Sequence, residues 1–225
     1  MRRVSENVRR MPPLDQSNAA SIILGSRSPQ RLQLLGQLVT PERIHVLPPL
    51  DDQEEGFDGL SELPEIIDRL ASIARTKAAD VQRQSEKIPD CNWSMIICAD
   101  TVILGREDNG QLTALGKPDG LGWEDRVRDW FTRYYSARTH HVASAVCVIA
   151  RNGEWSERTH LTDVRFHAVE SGLLDWYIAT KEPLGKAGGY GLQGAGGMFL
   201  ESIHGSISNV IGLPLEACWD LGVGK

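Results

Sequence analysis

Residues 21–35, SIILGSRSPQRLQLL, join a short apolar run to a helix through a turn of small residues. The run Ser21–Leu24 is continuous and partly β-branched, as expected for a strand buried on both faces. Gly25 ends the run, Ser28 is a good N-cap, and Pro29 fits the first helical position, where its missing N–H costs nothing. The helix then receives an apolar face from leucines at three- and four-residue spacing, Leu32, Leu34, Leu35 and Leu38.

This strand, loop and helix N-terminus form a candidate phosphate site. Free backbone N–H groups and a partial positive charge at such an end favour a bound anion. Ser26 and Ser28 add hydroxyl donors, and Arg31 adds a permanent, forked cation in the first turn. The alternative is a capped helix whose Arg31 points into water. The stretch lacks GxxxxGK[ST], which excludes a P-loop.

Size and charge limit what the remaining chain can be. The 225 residues carry a net charge of −6, which argues against a broad nucleic-acid footprint but leaves room for a small phosphorylated ligand. We expect a flexible basic tail over residues 1–18 and a single domain over 19–225. The tail lacks the apolar segment of a secretory signal, and no run is long enough to span a membrane. The four widely spaced cysteines indicate reduced thiols in a cytoplasmic protein.

Two charged residues occur where apolar side chains are expected. Lys77 lies on the apolar stripe of a helix predicted over residues 61–84, either as an edge residue with its head in water or as a cation aimed into a cleft. Asp100 lies in the middle of an apolar strand over residues 96–104. A carboxylate removed from water costs several kcal/mol unless it is paired or bound to a metal. Either the strand carries Asp100 to a cleft, or a structural partner satisfies it.

A hairpin signal follows this strand, because Asn109 and Gly110 form the strongest short turn dipeptide in the chain. With these two residues at the tip, Lys117 falls opposite Val102, diagonal to Asp100 and on the same face. The pairing predicts that a cation and an acid lie together.

The second half of the chain alternates further elements with a glycine-rich segment. The patterns predict a helix over residues 123–135, strands over 142–149 and 155–169 joined by a turn at Asn152 and Gly153, a helix capped by Ser171, and a short helix opened by Pro214. Between them, EPLGKAGGYGLQGAGGMFLESIHG (182–205) holds too many glycines for regular structure. Such glycines let backbone approach a ligand or another strand closely; a disordered linker is the alternative.

Six segments in order, LGSRSPQRLQLL, LASIARTKA, CADTVI, LGKP, EPLGKAGGYGLQG and NVIGLPL, resemble the motifs of the Maf family of nucleoside triphosphate pyrophosphatases. The resemblance covers most of the chain, and the A-D-T-V and Y-G-x-Q-G versions are similar to the branch that takes dTTP and UTP. It implies an α/β fold with an elongated mixed β-sheet flanked by helices and two lobes around a cleft, similar to the inosine triphosphatase-like fold. It also implies hydrolysis of the nucleotide to its monophosphate and pyrophosphate, a divalent metal cation (Mg²⁺ or Mn²⁺), and frequently a homodimer.

The resemblance also assigns site residues. It implies catalytic roles for Asp100, Lys77 and Lys117, substrate binding by Ser26, Ser28, Arg31, Thr101, Lys186 and Gln193, and metal binding by Asp100 and Asp52. Asp51 and Asp52 match the acidic pair of the family. Two positions depart from its pattern, because Gln30 replaces an Arg and Gly185 replaces an acid. A nucleotide-binding regulator of cell division with little turnover, and a phosphatase that releases inorganic phosphate, are the alternative functions.

Overall fold

A computed structural model describes residues 20–50, 56–89 and 91–225. The predicted tail over residues 1–18 and the acidic pair Asp51 and Asp52 lie outside these ranges. The helices of the described chain are α1 (Pro29–Leu35), α2 (Leu63–Ser85), α3 (Trp123–Trp130), α4 (Ser171–Ala179), α5 (Ile207–Ile211) and α6 (Leu215–Asp220). The strands are β1 (Ser21–Leu24), β2 (Ile44–Val46), β3 (Trp93–Arg106), β4 (Leu112–Leu115), β5 (Thr139–Ala150), β6 (Trp155–Phe166) and β7 (Leu200–His204).

The strands form one mixed sheet in the order β2-β1-β3-β5-β6-β7, with β4 paired to β3 outside this path. The strand β1 runs parallel to both β2 and β3, and the remaining pairs are antiparallel. Because β1 lies between two strands, its apolar residues Ile22, Ile23 and Leu24 are all buried. The predicted buried strand and the mixed sheet flanked by helices are therefore confirmed.

Three apolar clusters pack this sheet. The helix α2 covers one face at one end of the long strands β3 and β5, through residues such as Leu70 and Val81. The helices α1 and α6 cover the opposite face through Leu35 and Ala217. The third cluster gathers aromatic side chains with α3 and α4, among them Phe131, Tyr135, Phe166, Tyr177 and Phe199. The long strands thus connect two packed regions, and the cleft described below is lined from both.

The predicted register of the β3–β4 hairpin is wrong by one residue. Arg106 pairs with Leu112, and the Glu107 N–H donates to the Gln111 carbonyl oxygen at 2.8 Å, which leaves residues 108–110 between them. The loop therefore has three residues rather than two, and Gly110 closes it in a left-handed conformation with φ of +89°. A shift of one residue reverses the faces of a strand, so Lys117 is not placed diagonal to Asp100 by pairing. It reaches the same cleft because β4 ends at Leu115.

Other predicted boundaries need small corrections. The strand β6 stops at Phe166 instead of continuing to residue 169, because Phe166 meets the first residue of β7 and the paired region of β5 has ended. Ser171 is the first residue of α4 and not its cap, since Glu170 holds the extended N-cap conformation. The helix predicted over residues 123–135 is α3 followed by a π-helical turn, Phe131–Tyr135. No helix in the described part of the chain is long and apolar enough to cross a membrane.

Candidate active site

The two charged residues on apolar elements meet as an ion pair. The Lys77 Nζ, from α2, lies 2.5 Å from the Asp100 Oδ1, from the middle of β3. Their side chains are only 13% and 12% exposed. The strand carries Asp100 to a cleft, and Lys77 points into that cleft instead of extending from the helix edge into water. Each group compensates the other for its partial removal from solvent.

The Arg31 side chain lies against the protein, which contradicts the alternative of a guanidinium pointing into water. Its Nε donates to the Gly212 carbonyl oxygen at 2.8 Å, and its two terminal nitrogens lie 3.2 Å from the Thr101 Oγ1 and 3.4 Å from the Ser26 Oγ. Ser28 caps α1 as predicted, because its Oγ accepts the Arg31 N–H at 3.3 Å. The start of α1, the middle of β3 and the end of α5 thus converge on one guanidinium.

A cleft of about 730 Å³ unites the predicted residues. It brings together all nine that lie within the described ranges, Ser26, Ser28, Arg31, Lys77, Asp100, Thr101, Lys117, Lys186 and Gln193. The tenth, Asp52, lies outside those ranges. A second cleft, on the side of the β3–β4 hairpin, shares Asp100, Thr101 and Lys117 with the first. The segments that the sequence singled out separately therefore form one continuous surface.

This cleft is cationic although the whole chain is anionic. Its described lining carries five basic side chains, Arg27, Arg31, Lys77, Lys117 and Lys186, against two acidic ones, Asp100 and Glu182. The net charge of the chain is −6. Clustered cations inside a concave site attract an anion even when the overall charge opposes it. The arrangement suits a compact polyanion such as a polyphosphate.

Both departures from the family pattern lie in the same cleft. The Gln30 Oε1 accepts a hydrogen bond from the Ser28 Oγ at 3.1 Å, so this side chain stays on the loop before α1. Gly185 has φ of +72°, a left-handed backbone conformation that strains a side chain. The left-handed backbone at position 185 therefore favours glycine, and this glycine also removes the negative charge that the family pattern has there.

Three features of the site were missed from the sequence. The Gly212 carbonyl holds Arg31 from a position 181 residues away, so no local pattern could reveal it. The Ser144 Oγ lies 2.8 Å from the Thr101 Oγ1, directly opposite on β5. The sequence signal for this contact is Ser144 itself, a polar residue within the otherwise apolar run 142–149 of β5. Glu182 opens the glycine-rich segment, and its carboxylate accepts two backbone N–H groups of that segment.

The groups behind the cleft are neutral. The His140 Nε2 lies 2.7 Å from the hydroxyl of Tyr190, a residue of the cleft wall. Burial lowers the pKa of His140 to about 3 and raises the pKa of Tyr190, so both stay uncharged near neutral pH. Burial also raises the pKa of Cys98, next to Gly25, to about 12. Its thiol is therefore not a nucleophile at this site.

The donor set suits a metal that is shared with a ligand. In the parts of the chain that the structure describes, no group of three or more His, Cys, Asp or Glu side chains could hold a metal. Mg²⁺ is usually held by one or two carboxylates together with substrate phosphates and water. The Asp100 carboxylate in a polyanion cleft fits one such contact, whereas the Glu182 carboxylate is already engaged by backbone N–H groups.

Comparison with known proteins identifies clear relatives. A family model described as Maf-like protein matches residues 21–221. A dTTP/UTP pyrophosphatase of Anaeromyxobacter dehalogenans is 37% identical over 202 residues, which cover 88% of this chain and 90% of that protein. The dTTP/UTP pyrophosphatase of Thermococcus gammatolerans is 32% identical over 200 residues, or 89% and 94% of the two chains. Among solved structures, the Staphylococcus aureus Ham1 protein aligns with 65% of this chain and 71% of its own, at 9% identity and a TM-score of 0.40.

Proposed function

Because the chain belongs to the Maf family, we propose that it is a nucleoside triphosphate pyrophosphatase that hydrolyses dTTP and UTP to the monophosphate and pyrophosphate. The observation that carries the proposal is the convergence of nine predicted side chains on one cationic cleft, centred on the Lys77–Asp100 pair. Two relatives that match most of the chain are named for this activity. Both pyrimidines are reasonable substrates, since one methyl group in an apolar pocket changes binding by only about 1–3 kcal/mol.

The cations of the cleft bind the triphosphate in this proposal. Arg31 offers a forked guanidinium that Gly212 and Thr101 hold in place, and forked donors match phosphate oxygens well. Lys77, Lys117 and Lys186 supply further positive charge along the same wall. Arg31, Lys77 and Lys186 are already held by contacts within the protein, so they stabilise charge that develops on the phosphates with little reorganisation.

Asp100 is the proposed catalytic carboxylate. It takes a proton from a water molecule, whose oxygen attacks the α-phosphorus; the bond to the bridging oxygen breaks, and pyrophosphate leaves. Lys77 orients the carboxylate through its 2.5 Å contact. Asp100, together with Asp52, would also hold a divalent cation. Bound Mg²⁺ or Mn²⁺ neutralises phosphate charge and makes water more acidic.

The test is pyrophosphate release by the purified protein from dTTP, UTP, CTP and ATP with Mg²⁺. We expect dTTP and UTP to be the best substrates, and Asp100→Asn to lower kcat by at least about a hundredfold, because the variant lacks the proton acceptor. Asp163→Asn is the matched control, since this strand aspartate pairs with His141 and lines neither cleft. Its activity should equal that of the wild type.

Three outcomes would contradict parts of the proposal. An unchanged rate in Asp100→Asn removes this carboxylate from the mechanism. Release of inorganic phosphate instead of pyrophosphate indicates a phosphatase. Calorimetric binding of dTTP without release of either product indicates a nucleotide-binding regulator.

A further inference from the structure

Glu182 faces the cationic cleft although its charge opposes an anionic ligand. It lies after α4 at the start of the glycine-rich segment, and its side chain is 19% exposed. A carboxylate in this place repels phosphate. The contacts of Glu182 indicate a structural role for this carboxylate.

The carboxylate of Glu182 binds the loop that carries Gln193. Its Oε2 accepts the Ala195 N–H at 2.7 Å, and its Oε1 accepts the Gly196 N–H at 3.2 Å. These two N–H groups belong to the second and third residues after Gln193, whose side chain lines the cleft. Hydrogen bonds from backbone N–H groups to a charged acceptor are among the stronger ones in proteins. One end of the Gln193 loop is therefore held by this carboxylate.

Lys186 balances the charge of this carboxylate within the cleft. Its Nζ donates to the main-chain oxygen of Glu182 at 2.6 Å and lies 3.8 Å from the Glu182 Oε1. The ammonium group therefore lies close to the acid, and both residues line the cleft. This pairing lets a carboxylate remain in a site built for phosphates.

Two glycines permit these close contacts. A Cβ atom at Gly194 would lie 2.4 Å from the Glu182 Oε1, and one at Gly191 would lie 3.1 Å from the Lys186 Cδ and Cε. Gly194 has φ of −120°, a conformation that any residue adopts. The glycine at 194 is therefore required by the approach of the carboxylate and not by backbone strain.

We infer that Glu182 is a positioning residue for the nucleotide, because its carboxylate holds the loop that places Gln193 in the cleft. The inference deepens the proposed function and rests on it. Glu182 does not contact the reacting atoms, and it acts through the loop. Loss of these two hydrogen bonds lets the loop shift, so that Gln193, whose Nε2 also donates to the Gln33 Oε1 at 3.4 Å, leaves its position in the cleft.

The first variant is Glu182→Gln, which keeps the shape of the side chain but turns an amide NH₂ toward one of the two N–H donors. If Glu182 were only a repulsive charge, the variant would bind an anion more tightly. The inference predicts the opposite sign. Calorimetry with the α,β-imido analogue of dUTP should show about tenfold weaker binding. Equal or tighter binding of this analogue would overturn the inference.

A double-mutant cycle tests whether the effect passes through Gln193. In a Gln193→Ala background, Glu182→Gln should cause little further loss, because the side chain that the loop positions is already absent. A loss of about tenfold that persists in this background would show that Glu182 acts by another route. Because the analogue is not hydrolysed, these affinities test the role of Glu182 even if the wild type releases no pyrophosphate.

A second variant keeps the charge and disturbs only the contact. Gly194→Ala places a methyl group against the carboxylate, and we expect a similar loss of about tenfold. Gly172→Ala, on α4, is its control because nothing lies within 4 Å of the added carbon.

Glu157→Gln is the control for Glu182→Gln, since Glu157 also accepts two hydrogen bonds, from Arg75, and lines neither cleft. Both controls should bind the analogue like the wild type. Wild-type affinity in Gly194→Ala would overturn the inference even if Glu182→Gln failed to fold.

Discussion

At the residue scale, His140 shows how burial, with a smaller contribution from the neighbouring His141, keeps an imidazole neutral. Its ring packs against the rings of Tyr135, Phe166 and Tyr190, and only the Nε2 has a hydrogen-bond partner in the described chain. Burial lowers its pKa from 6.5 to about 3. The unfolded chain therefore takes up a proton near pH 6.5, and the folded chain does not until about pH 3. Protons therefore bind preferentially to the unfolded state between about pH 6.5 and pH 3, and the unfolding free energy decreases as the pH falls through this range.

This sign leads to a measurable prediction for His140→Gln. Between pH 7 and pH 5 the wild type should lose about 2 kcal/mol of unfolding free energy from this group alone, at about 1.4 kcal/mol per pH unit below its unfolded pKa. The variant lacks that loss, so its stability should depend less steeply on pH. Urea denaturation at pH 7, 6 and 5 measures both curves. Parallel curves for the two proteins would contradict the assignment of a neutral buried imidazole.

At the element scale, the junction between β1 and α1 depends on Gly25. A Cβ atom there would lie 2.2 Å from the Cys98 Sγ and 2.9 Å from the Val81 Cγ2. The end of β1 is therefore pressed between β3 and α2 with no room for a side chain. The residues that follow, Ser26 and Arg31, line the cleft. Packing beneath the loop thus determines where the proposed phosphate-binding residues lie.

We expect Gly25→Ala to lower the unfolding free energy by about 1–3 kcal/mol, as is usual for an overpacked core. The KM for dTTP should rise as well, because the loop must shift. The matched control is Gly36→Ala at the end of α1, where φ is −62° and the nearest atoms lie at 3.4 Å. This control should be neutral or more stable by about 0.5 kcal/mol, with an unchanged KM. Chemical denaturation and steady-state kinetics would measure both, and wild-type behaviour of Gly25→Ala would show that β1 can move aside.

At the scale of the whole molecule, a cationic cleft is set in an anionic protein. The overall charge of −6 opposes the approach of any anion at long range, and the five basic side chains in the described lining of the cleft favour an anion at short range. Salt screens exposed charges beyond about 8–10 Å at physiological ionic strength, and it also competes for cationic sites. The binding step should therefore respond to salt more strongly than the chemical step.

We expect the KM for dTTP to depend on salt more strongly than kcat does. Raising KCl from about 50 to about 300 mM should increase the KM for dTTP several-fold and change kcat less than about twofold, because the Debye length shortens while the part-buried Lys77–Asp100 contact is less screened than exposed charges are. Steady-state kinetics with Mg²⁺ in constant excess would measure this, and sucrose at equal osmolality would serve as the control for water activity. A KM that does not depend on salt would contradict electrostatic capture by the cleft.

Much of the fold follows from patterns a few residues long. The end of β1, the Ser28 cap and the start of α1 depend on neighbours within one turn, and the sequence predicted them correctly. Asp100 was predicted to reach a cleft or a partner, because a carboxylate in an apolar strand has few other solutions. The hairpin was located but misregistered, since two- and three-residue loops with a left-handed glycine are both common.

What the sequence determined by itself is most of the longer helices and strands and the unusual residues on them, because both arise from local backbone preferences and from the cost of burying polar groups. The short elements β7, inside the glycine-rich segment, and α5 were not predicted. Only the tertiary structure decided which groups meet. Lys77 reaches Asp100 because α2 packs against β3, Arg31 is held by the Gly212 carbonyl at the end of α5, and Glu182 binds the loop that follows Gln193. These contacts join residues far apart in the chain, and only the packing of the sheet and helices brings them within hydrogen-bonding distance.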